Sequence, residues 1–250
     1  MKKNLLVALM SGLISLPISF QVLVAQESIN TIRAGEIYGK VMVIDELLQV
    51  EEVLEEGQVL SQEKTVITGT NGSSVLYFSN GASIVLGPDT RLTIEAFIQE
   101  PYKDDTVVYD ELRSEPSISN TQVFLHYGAI TVRTKQLQEE SGFQVQSPNS
   151  VADLLSATAQ ITYLSEASGG MTTVANLYGN VKVKDNDPSA SWVDIDEGSL
   201  REVAGSTEGA ASVAPDSMVT KVSEQRLIEE SDVVVDFSIV QIGENASPAN

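Results

Sequence analysis

The amino-acid sequence predicts an all-β fold, an antiparallel β-sandwich, and three observations carry that reading. Short runs rich in Val, Ile, Thr, Tyr and Phe recur along the chain. Several alternate apolar with polar residues, as in Arg91-Leu92-Thr93-Ile94 and Phe143-Gln144-Val145-Gln146. Turn-forming pairs punctuate these runs, chiefly Asn71-Gly72, Asn80-Gly81 and Gly87-Pro88. A glycine-led pattern also echoes three times, as Gly39-x-Val41-x-Val43, Gly128-x-Ile130-x-Val132 and Gly179-x-Val181-x-Val183. Apolar residues at +2 and +4 fit a turn that feeds a strand with one buried face. The intervals of 89 and 51 residues are unequal, so the echo is not a solenoid period.

Taken in order, the chain opens with Met1-Lys2-Lys3-Asn4, a short basic head, followed by an uncharged, mostly apolar stretch from Leu5 to Ala25. This pattern predicts a signal peptide over residues 1–25. An uncleaved anchor stays open as the alternative, since about 20 apolar residues cross a bilayer. Residues 26–34 read as a lead-in and residues 35–204 as the β domain. Within it, residues 46–60 read as short strands about a Glu56-Gly57 turn, because Val50, Val53 and Val59 are β-branched. Residues 65–94 are the central block. There Asn80-Gly81 lies between Val75-Leu76-Tyr77-Phe78 and Ile84-Val85-Leu86, which predicts a hairpin closed by a type I′ turn with positive φ at both central residues. Residues 101–119 read as an acidic excursion with one strand at 106–109. Strands resume over 123–133, 143–146, 159–164, 172–177 and 179–184, with a Gly169-Gly170 turn among them. Residues 205–216 read as a small-residue linker. Residues 217–250 form a C-terminal segment, with a helix over 217–230, a strand over 233–242 and a fraying end.

The chain's 250 residues are 42% hydrophobic and 20% charged, enough for a sizeable core. Its 15 basic and 35 acidic residues give a net charge of −20. That balance argues against nucleic acid, which needs a basic stripe, and against electrostatic attachment to anionic lipid. No stretch after the signal segment is apolar enough to span a membrane. The sequence contains no cysteine, so disulfides, thiolate nucleophiles and thiolate metal sites are excluded. His126 is the single histidine and reads as a packed or rim side chain beside Phe124 and Tyr127. Neither a Gly-x-Ser-x-Gly elbow nor a phosphate- or dinucleotide-binding glycine loop occurs. Asp185-Asn186-Asp187 and Asp194-Ile195-Asp196-Glu197 offer oxygens that calcium accepts, but they lack the full spacing of a calcium loop. The first reads as a hairpin turn and the second as an edge strand. Trp192, Tyr163 and Tyr178 read as core or rim. No residue is assigned a catalytic, cofactor-binding or metal-binding role, and no cofactor is expected.

The central block runs from Val66-Ile67-Thr68-Gly69, through Gly72-Ser73-Ser74-Val75, to Phe78-Ser79-Asn80-Gly81-Ala82-Ser83 and Gly87-Pro88-Asp89-Thr90-Arg91-Leu92. In this order of turns and strands it resembles the FecR domain. Gly128, Phe143-x-Val145-x-Ser147-Pro148 and Gly179 resemble that family's later strands. The likeness spans about residues 35–203. It makes Gly69, Gly72, Ser73, Asn80, Gly81, Ser83, Gly87, Pro88, Gly128, Pro148 and Gly179 structural turn residues. One departure is clear: residues 152–158 read Ala-Asp-Leu-Leu-Ser-Ala-Thr where the family carries Arg-Gly-Thr. The resemblance implies a jelly-roll-like sandwich exported to the periplasm or beyond. Well-known members place a cytoplasmic sigma-binding segment and a membrane helix ahead of this domain. Only four residues precede the hydrophobic stretch here, so the expectation is a module without that segment. The reading is a non-catalytic binding or signal-sensing module of the bacterial cell envelope, with an envelope protein or polymer as partner. An extracytoplasmic carbohydrate-binding or carbohydrate-active protein on a similar sandwich is the alternative.

Overall fold

The computed structural model describes residues 30–102, 112–165 and 170–205. These residues form fourteen strands and, among them, no helix. In chain order they are β1 (Ile32–Tyr38), β2 (Val41–Asp45), β3 (Val50–Val53), β4 (Val59–Leu60), β5 (Lys64–Thr68), β6 (Ser73–Phe78) and β7 (Ser83–Leu86). Then come β8 (Arg91–Gln99), β9 (Ser119–Arg133), β10 (Gly142–Gln146), β11 (Ser150–Leu164), β12 (Met171–Asp185), β13 (Val193–Ile195) and β14 (Leu200–Ala204). The all-β expectation holds. The signal segment, the 106–109 strand, Gly169 and everything expected from residue 206 onward lie outside the described residues.

The strands pair into two layers joined by three long strands. One layer runs β3-β2-β5-β8-β9-β10-β11-β12-β13 and the other β4-β1-β6-β7-β9-β11-β12-β14. Strands β9, β11 and β12, each 15 residues long, serve in both. The first half of β9 lies between β8 and β10, and its second half between β7 and β11. Every ladder is antiparallel apart from β9 with β10, which departs from the antiparallel expectation. The chain leaves the far end of β9 and returns to its start, so Gly142 enters beside Asn120 and runs in the same direction.

A strand that moves from one layer to the other must keep the same core on its inward side, and side chains alternate with a period of two. One residue out of phase achieves this. Along β9 the buried apolar residues are Val123 and Leu125, then Ile130 and Val132. Along β11 they are Ala152 and Leu154, then Ala157, Ala159 and Ile161. Along β12, Val174 is followed by Val181 and Val183. Each parity change coincides with a residue at positive φ: Gly128 at 97°, Ser156 at 56° and Gly179 at 81°. Gly39, at 65°, does the same between β1 and β2, where buried Ile32 and Ala34 give way to Val41 and Val43. The glycine echo therefore marks the corners of the sandwich. Gly128 and Gly179 lie inside continuous strands rather than ahead of them, so 172–177 and 179–184 are one strand, β12. Ser156 falls in the stretch that lacks the family's Arg-Gly-Thr, and a serine there takes the backbone conformation that suits glycine.

Between the layers lies one apolar core. Phe78 of β6 meets Phe97 of β8 edge-on at 5.2 Å between ring centroids, and Phe143 of β10 at 6.0 Å. The two contacts tie opposite layers together, and such pairs add about 0.5–1.5 kcal/mol each beyond their buried area. The first strand begins at Ile32, inside the stretch read as a lead-in, because Ile32 and Ala34 bury fully against the core.

The hairpin at Asn80-Gly81 is closed differently from the expectation. Gly81 N–H donates to the Phe78 carbonyl at 2.8 Å, and Phe78 N–H to the Ala82 carbonyl at 2.9 Å. Gly81 has φ of 87°, whereas Asn80 is absent from the positive-φ residues. The loop is thus three residues long, a turn followed by a left-handed glycine, rather than a type I′ pair. Asn80 is held out of that conformation because its side chain is buried and bonded inward, as described below.

A Cβ at Gly128 would lie 2.3 Å from Thr90 Oγ1, 2.5 Å from Thr90 Cα and 2.6 Å from the Asp89 carbonyl oxygen, whereas one at Gly57, also at positive φ, would meet nothing within 4 Å. Gly128→Ala is expected to lower stability by more than about 3 kcal/mol, through backbone strain and collision together. Gly57→Ala should cost only the left-handed strain, about 1–2 kcal/mol. Urea unfolding of both variants measures the difference; equal losses would mean that the corner contact is not what needs glycine.

Candidate functional site

Residues singled out in the sequence converge on corners. Thr68 N–H donates to the Thr90 carbonyl at 2.9 Å, while Thr68 Oγ1 donates to the Gly87 carbonyl at 2.6 Å and accepts from Thr90 N–H at 2.9 Å. Thr90 Oγ1 accepts from Ala129 N–H at 3.0 Å, and its oxygen also lies 3.1 Å from the Ala129 carbonyl and 3.2 Å from the Pro88 carbonyl. Gly87 N–H donates to the Ala129 carbonyl at 2.9 Å, and Asp89 N–H to the Gly69 carbonyl at 3.1 Å. Gly69 N–H reaches the Lys40 carbonyl at 2.9 Å; a Cβ at Gly72 would lie 2.4 Å from that same oxygen. Gly39, Gly69, Gly72, Gly87, Pro88 and Gly128 thus pack four chain segments at one corner.

The remaining motif residues build other junctions. Asn80 is buried, with Nδ2 donating to Ser119 Oγ at 3.0 Å and Thr121 Oγ1 at 3.4 Å, while Oδ1 accepts from Ala82 N–H at 3.0 Å. Ser119 Oγ in turn donates to buried Glu115 at 2.7 Å. Ser73 and Ser83 are buried at the starts of β6 and β7. The Ser147 and Pro148 carbonyls accept from Asn186 Nδ2 at 2.7 and 2.9 Å. The Gly179 carbonyl accepts from Asn176 Nδ2 at 2.9 Å.

Asp187 accepts from Ser189 N–H and Oγ, both at 2.7 Å, and these bonds hold its carboxyl below the usual range. Asp194 lies exposed on edge strand β13, 3.9 Å from Lys182. Among the described residues, no three His, Asp or Glu side chains are close enough together to hold a metal ion. Tyr163 is buried, whereas Tyr178 and Trp192 are exposed, the latter with the Lys184 ammonium 4.8 Å from its ring centroid.

On the outer face of the first layer, a polar chain crosses four elements. Thr65 Oγ1 donates to Glu46 Oε1 at 2.6 Å and lies 2.7 Å from Thr93 Oγ1, which is 2.8 Å from His126 Nε2. Arg91 donates to the same Glu46 oxygen at 3.1 Å, and the His126 ring packs on Phe124 at 4.7 Å. Burial, then the Arg91 guanidinium, lowers the His126 pKa, against an opposing pull from Glu46. This strip joins β5, β8 and β9 to Glu46, which directly follows β2. Sequence reasoning read His126 as a packed or rim side chain but missed its partners, because only the strand register sets Thr65, Thr93 and His126 side by side.

The strip ends at the β2–β3 hairpin, where the surface changes character. Leu47 and Leu48 at its tip are 74% and 73% exposed, and Val50 and Val53 on β3 are 51% and 63% exposed. All four β3 residues are exposed, so this strand adds nothing to the core. The tip is nevertheless held firmly. Asp45 Oδ1 accepts from Leu47 N–H at 3.0 Å and Leu48 N–H at 2.9 Å, Asp45 pairs with Lys64, and Gln49 takes φ of 54° to close the loop.

Residues 64–182 match the family model of the FecR protein. That stretch, a little under half of the chain, is similar to a FecR domain. The FecR match begins at β5 and ends within β12, so all eleven motif residues named above fall inside it, whereas the β2–β3 hairpin lies ahead of it. No curated protein matches the sequence. Two crystal structures of a candidate anti-sigma factor from Parabacteroides distasonis ATCC 8503, at 1.65 and 2.50 Å resolution, are similar in structure. Each is 12% identical, with TM-scores of 0.44 and 0.45, and the match covers 61% of this chain and 59% of that one. The match thus spans about three-fifths of that protein's length.

Because the folded His126 binds its proton less readily than an ordinary imidazole, the unfolded chain protonates first as pH falls. This site's contribution is present above the ordinary value of 6.5 and is lost as pH falls from there toward the folded pKa. His126→Gln, which can still bond Thr93, should flatten that limb of a plot of thermal midpoint against pH. An unchanged slope would separate the imidazole from the stability of the strip.

Proposed function

We propose that this chain is a non-catalytic binding or signal-sensing module of the bacterial cell envelope, and that the β2–β3 hairpin is the surface it binds with. The observation that carries this is the exposed aliphatic set Leu47, Leu48, Val50 and Val53 on a hairpin whose turn is already fixed by hydrogen bonds. Exposed apolar side chains concentrated on one short ordered hairpin, Val50 and Val53 on its two faces and Leu47 and Leu48 at its tip, mark an interaction surface, whereas singly scattered ones do not. The FecR domain supports the envelope and signalling context. Support for recognition rather than reaction comes from the motif itself, whose hydroxyl, amide and glycine positions are engaged in joining strands. The basic head and apolar stretch of residues 1–25 support export, and the excess of acids supports a protein partner over nucleic acid.

The test is capture from a bacterial envelope extract by the purified chain, compared with Leu47→Ser/Leu48→Ser. Both leucines are solvent-facing, so the double change should alter stability little, within about 0.5 kcal/mol. It should reduce recovery of a specific envelope component by about tenfold or more, as expected when central apolar anchors are removed. Identical recovery by both proteins would overturn the hairpin as the binding surface.

A further inference from the structure

We propose that the outer edge of β3 receives an extended segment of a partner protein that carries the pattern apolar–basic–basic–apolar, added as a further strand. This rests on the binding-module reading above and specifies the partner's chemistry.

Strand β3 pairs with β2 in the register Met42↔Val53, Val43↔Glu52, Ile44↔Glu51 and Asp45↔Val50. Its other side has no strand neighbour among the described residues. An open edge presents a row of backbone donors and acceptors, which another chain can pair with directly. Two other edges, β4 and β13, are only two and three residues long. Another, β14, turns Leu200 and Val203 into the core, and the unpaired ends of β1 and β8 include the half-buried Ile37 and the buried Phe97 and Gln99. Among the described residues, only β3 combines an open edge with exposed side chains throughout its length.

The sequence of that edge is Val50-Glu51-Glu52-Val53. A strand added in either direction sets its own four residues opposite these, and directly opposed side chains interact most strongly. Apolar residues suit the outer positions, facing Val50 and Val53. Cations suit the inner two, facing Glu51 and Glu52. The surroundings favour the same sign: between Lys40 and Lys64 there are seven acidic residues and no basic one. Asp45 pairs with Lys64 and Glu46 with Arg91, while Glu51, Glu52, Glu55, Glu56 and Glu63 have no ion-pair partner among the described residues.

The same charges disfavour two other occupants. A second copy paired edge to edge would oppose Glu51 and Glu52 to identical residues, which is destabilising. The chain's own residues 206–250 hold eight acids against two bases, and their most strand-like run, Val233-Val234-Val235, is flanked by Asp232 and Asp236. A basic partner meets none of this repulsion.

The probe is a blocked decapeptide with a Val-Lys-Lys-Val centre, compared with one centred on Val-Glu-Glu-Val. Fluorescence anisotropy against the full chain should show the basic peptide binding at least about tenfold more tightly, with the difference shrinking near 0.5 M salt as exposed charges are screened. Glu51→Lys/Glu52→Lys changes only exposed residues and should reverse the preference. Amide exchange in residues 50–53 should slow when the basic peptide is added. Equal binding of both peptides, an unreversed preference, or protection at another edge would overturn the proposal. So would slow exchange of residues 50–53 in the free chain at monomer concentrations, which would assign the edge to the chain's own tail, or dimerisation abolished by the double lysine variant, which would assign it to a second copy. If that variant still captures the envelope component that depends on Leu47 and Leu48, the binding-module reading stands and this one falls. If the peptide binds as described while no envelope component depends on those leucines, the envelope reading falls alone.

Discussion

The whole arrangement depends on one geometric constraint: three strands pass through both layers and must face the same core in each. A regular strand alternates its faces, so such a strand needs one residue out of phase where it crosses. Gly128, Ser156 and Gly179 supply that step at positive φ. At two of these points the neighbouring backbone approaches so closely that any side chain would collide, with Thr90 Cα 2.5 Å from a Cβ at Gly128 and the Ser156 carbonyl oxygen 2.2 Å from one at Gly179. The corners are therefore packed junctions, not loose bends. The aromatic contacts from Phe78 to Phe97 and Phe143 then hold the two layers at a fixed separation.

This constraint accounts for the character of the FecR-like motif in the chain. Thr68 and Thr90 exchange hydrogen bonds with each other and with backbone groups at the Gly69, Gly87 and Gly128 corner. Asn80 bonds across to β9 while also closing its own turn. Buried polar groups are costly without partners, so residues engaged in this way are tied to architecture. Such a motif identifies a scaffold, and what the scaffold presents lies elsewhere on it. Here the contrast is local. Within about ten residues the chain passes from β2, whose Val41 and Val43 are buried, to β3, which is exposed throughout.

Much of the fold was legible because its signals are local. The apolar alternation of Arg91-Leu92-Thr93-Ile94 and Phe143-Gln144-Val145-Gln146 reflects half-buried strands, with Leu92, Ile94, Phe143 and Val145 all in the core. The glycine echo was visible too, and all six apolar residues at its +2 and +4 positions are buried. Its meaning was not, since a strand that continues through a glycine and one that starts after it read alike in sequence. The Asn80-Gly81 turn was misread for a related reason. Local turn chemistry favours type I′ at that pair, but the Asn80 amide is bonded to Ser119 and Thr121, some forty residues away, and those bonds select the other conformation.

The site was legible in part only. Val50, Val53, Leu47 and Leu48 are plain in the sequence, and strand character at Val50 and Val53 follows from their β-branched side chains. Whether such residues face a core or solvent depends on what lies across from them, which is a question of strand order. Taken alone, the sequence determined the all-β class, the turn-rich scaffold, the acidic balance and the absence of thiol chemistry, because these follow from composition and from contacts between near neighbours. Tertiary structure decided which strands cross between layers, which polar residues are enclosed and which edge is left open. Those features arise from pairings between residues far apart in the chain, and no local pattern encodes them.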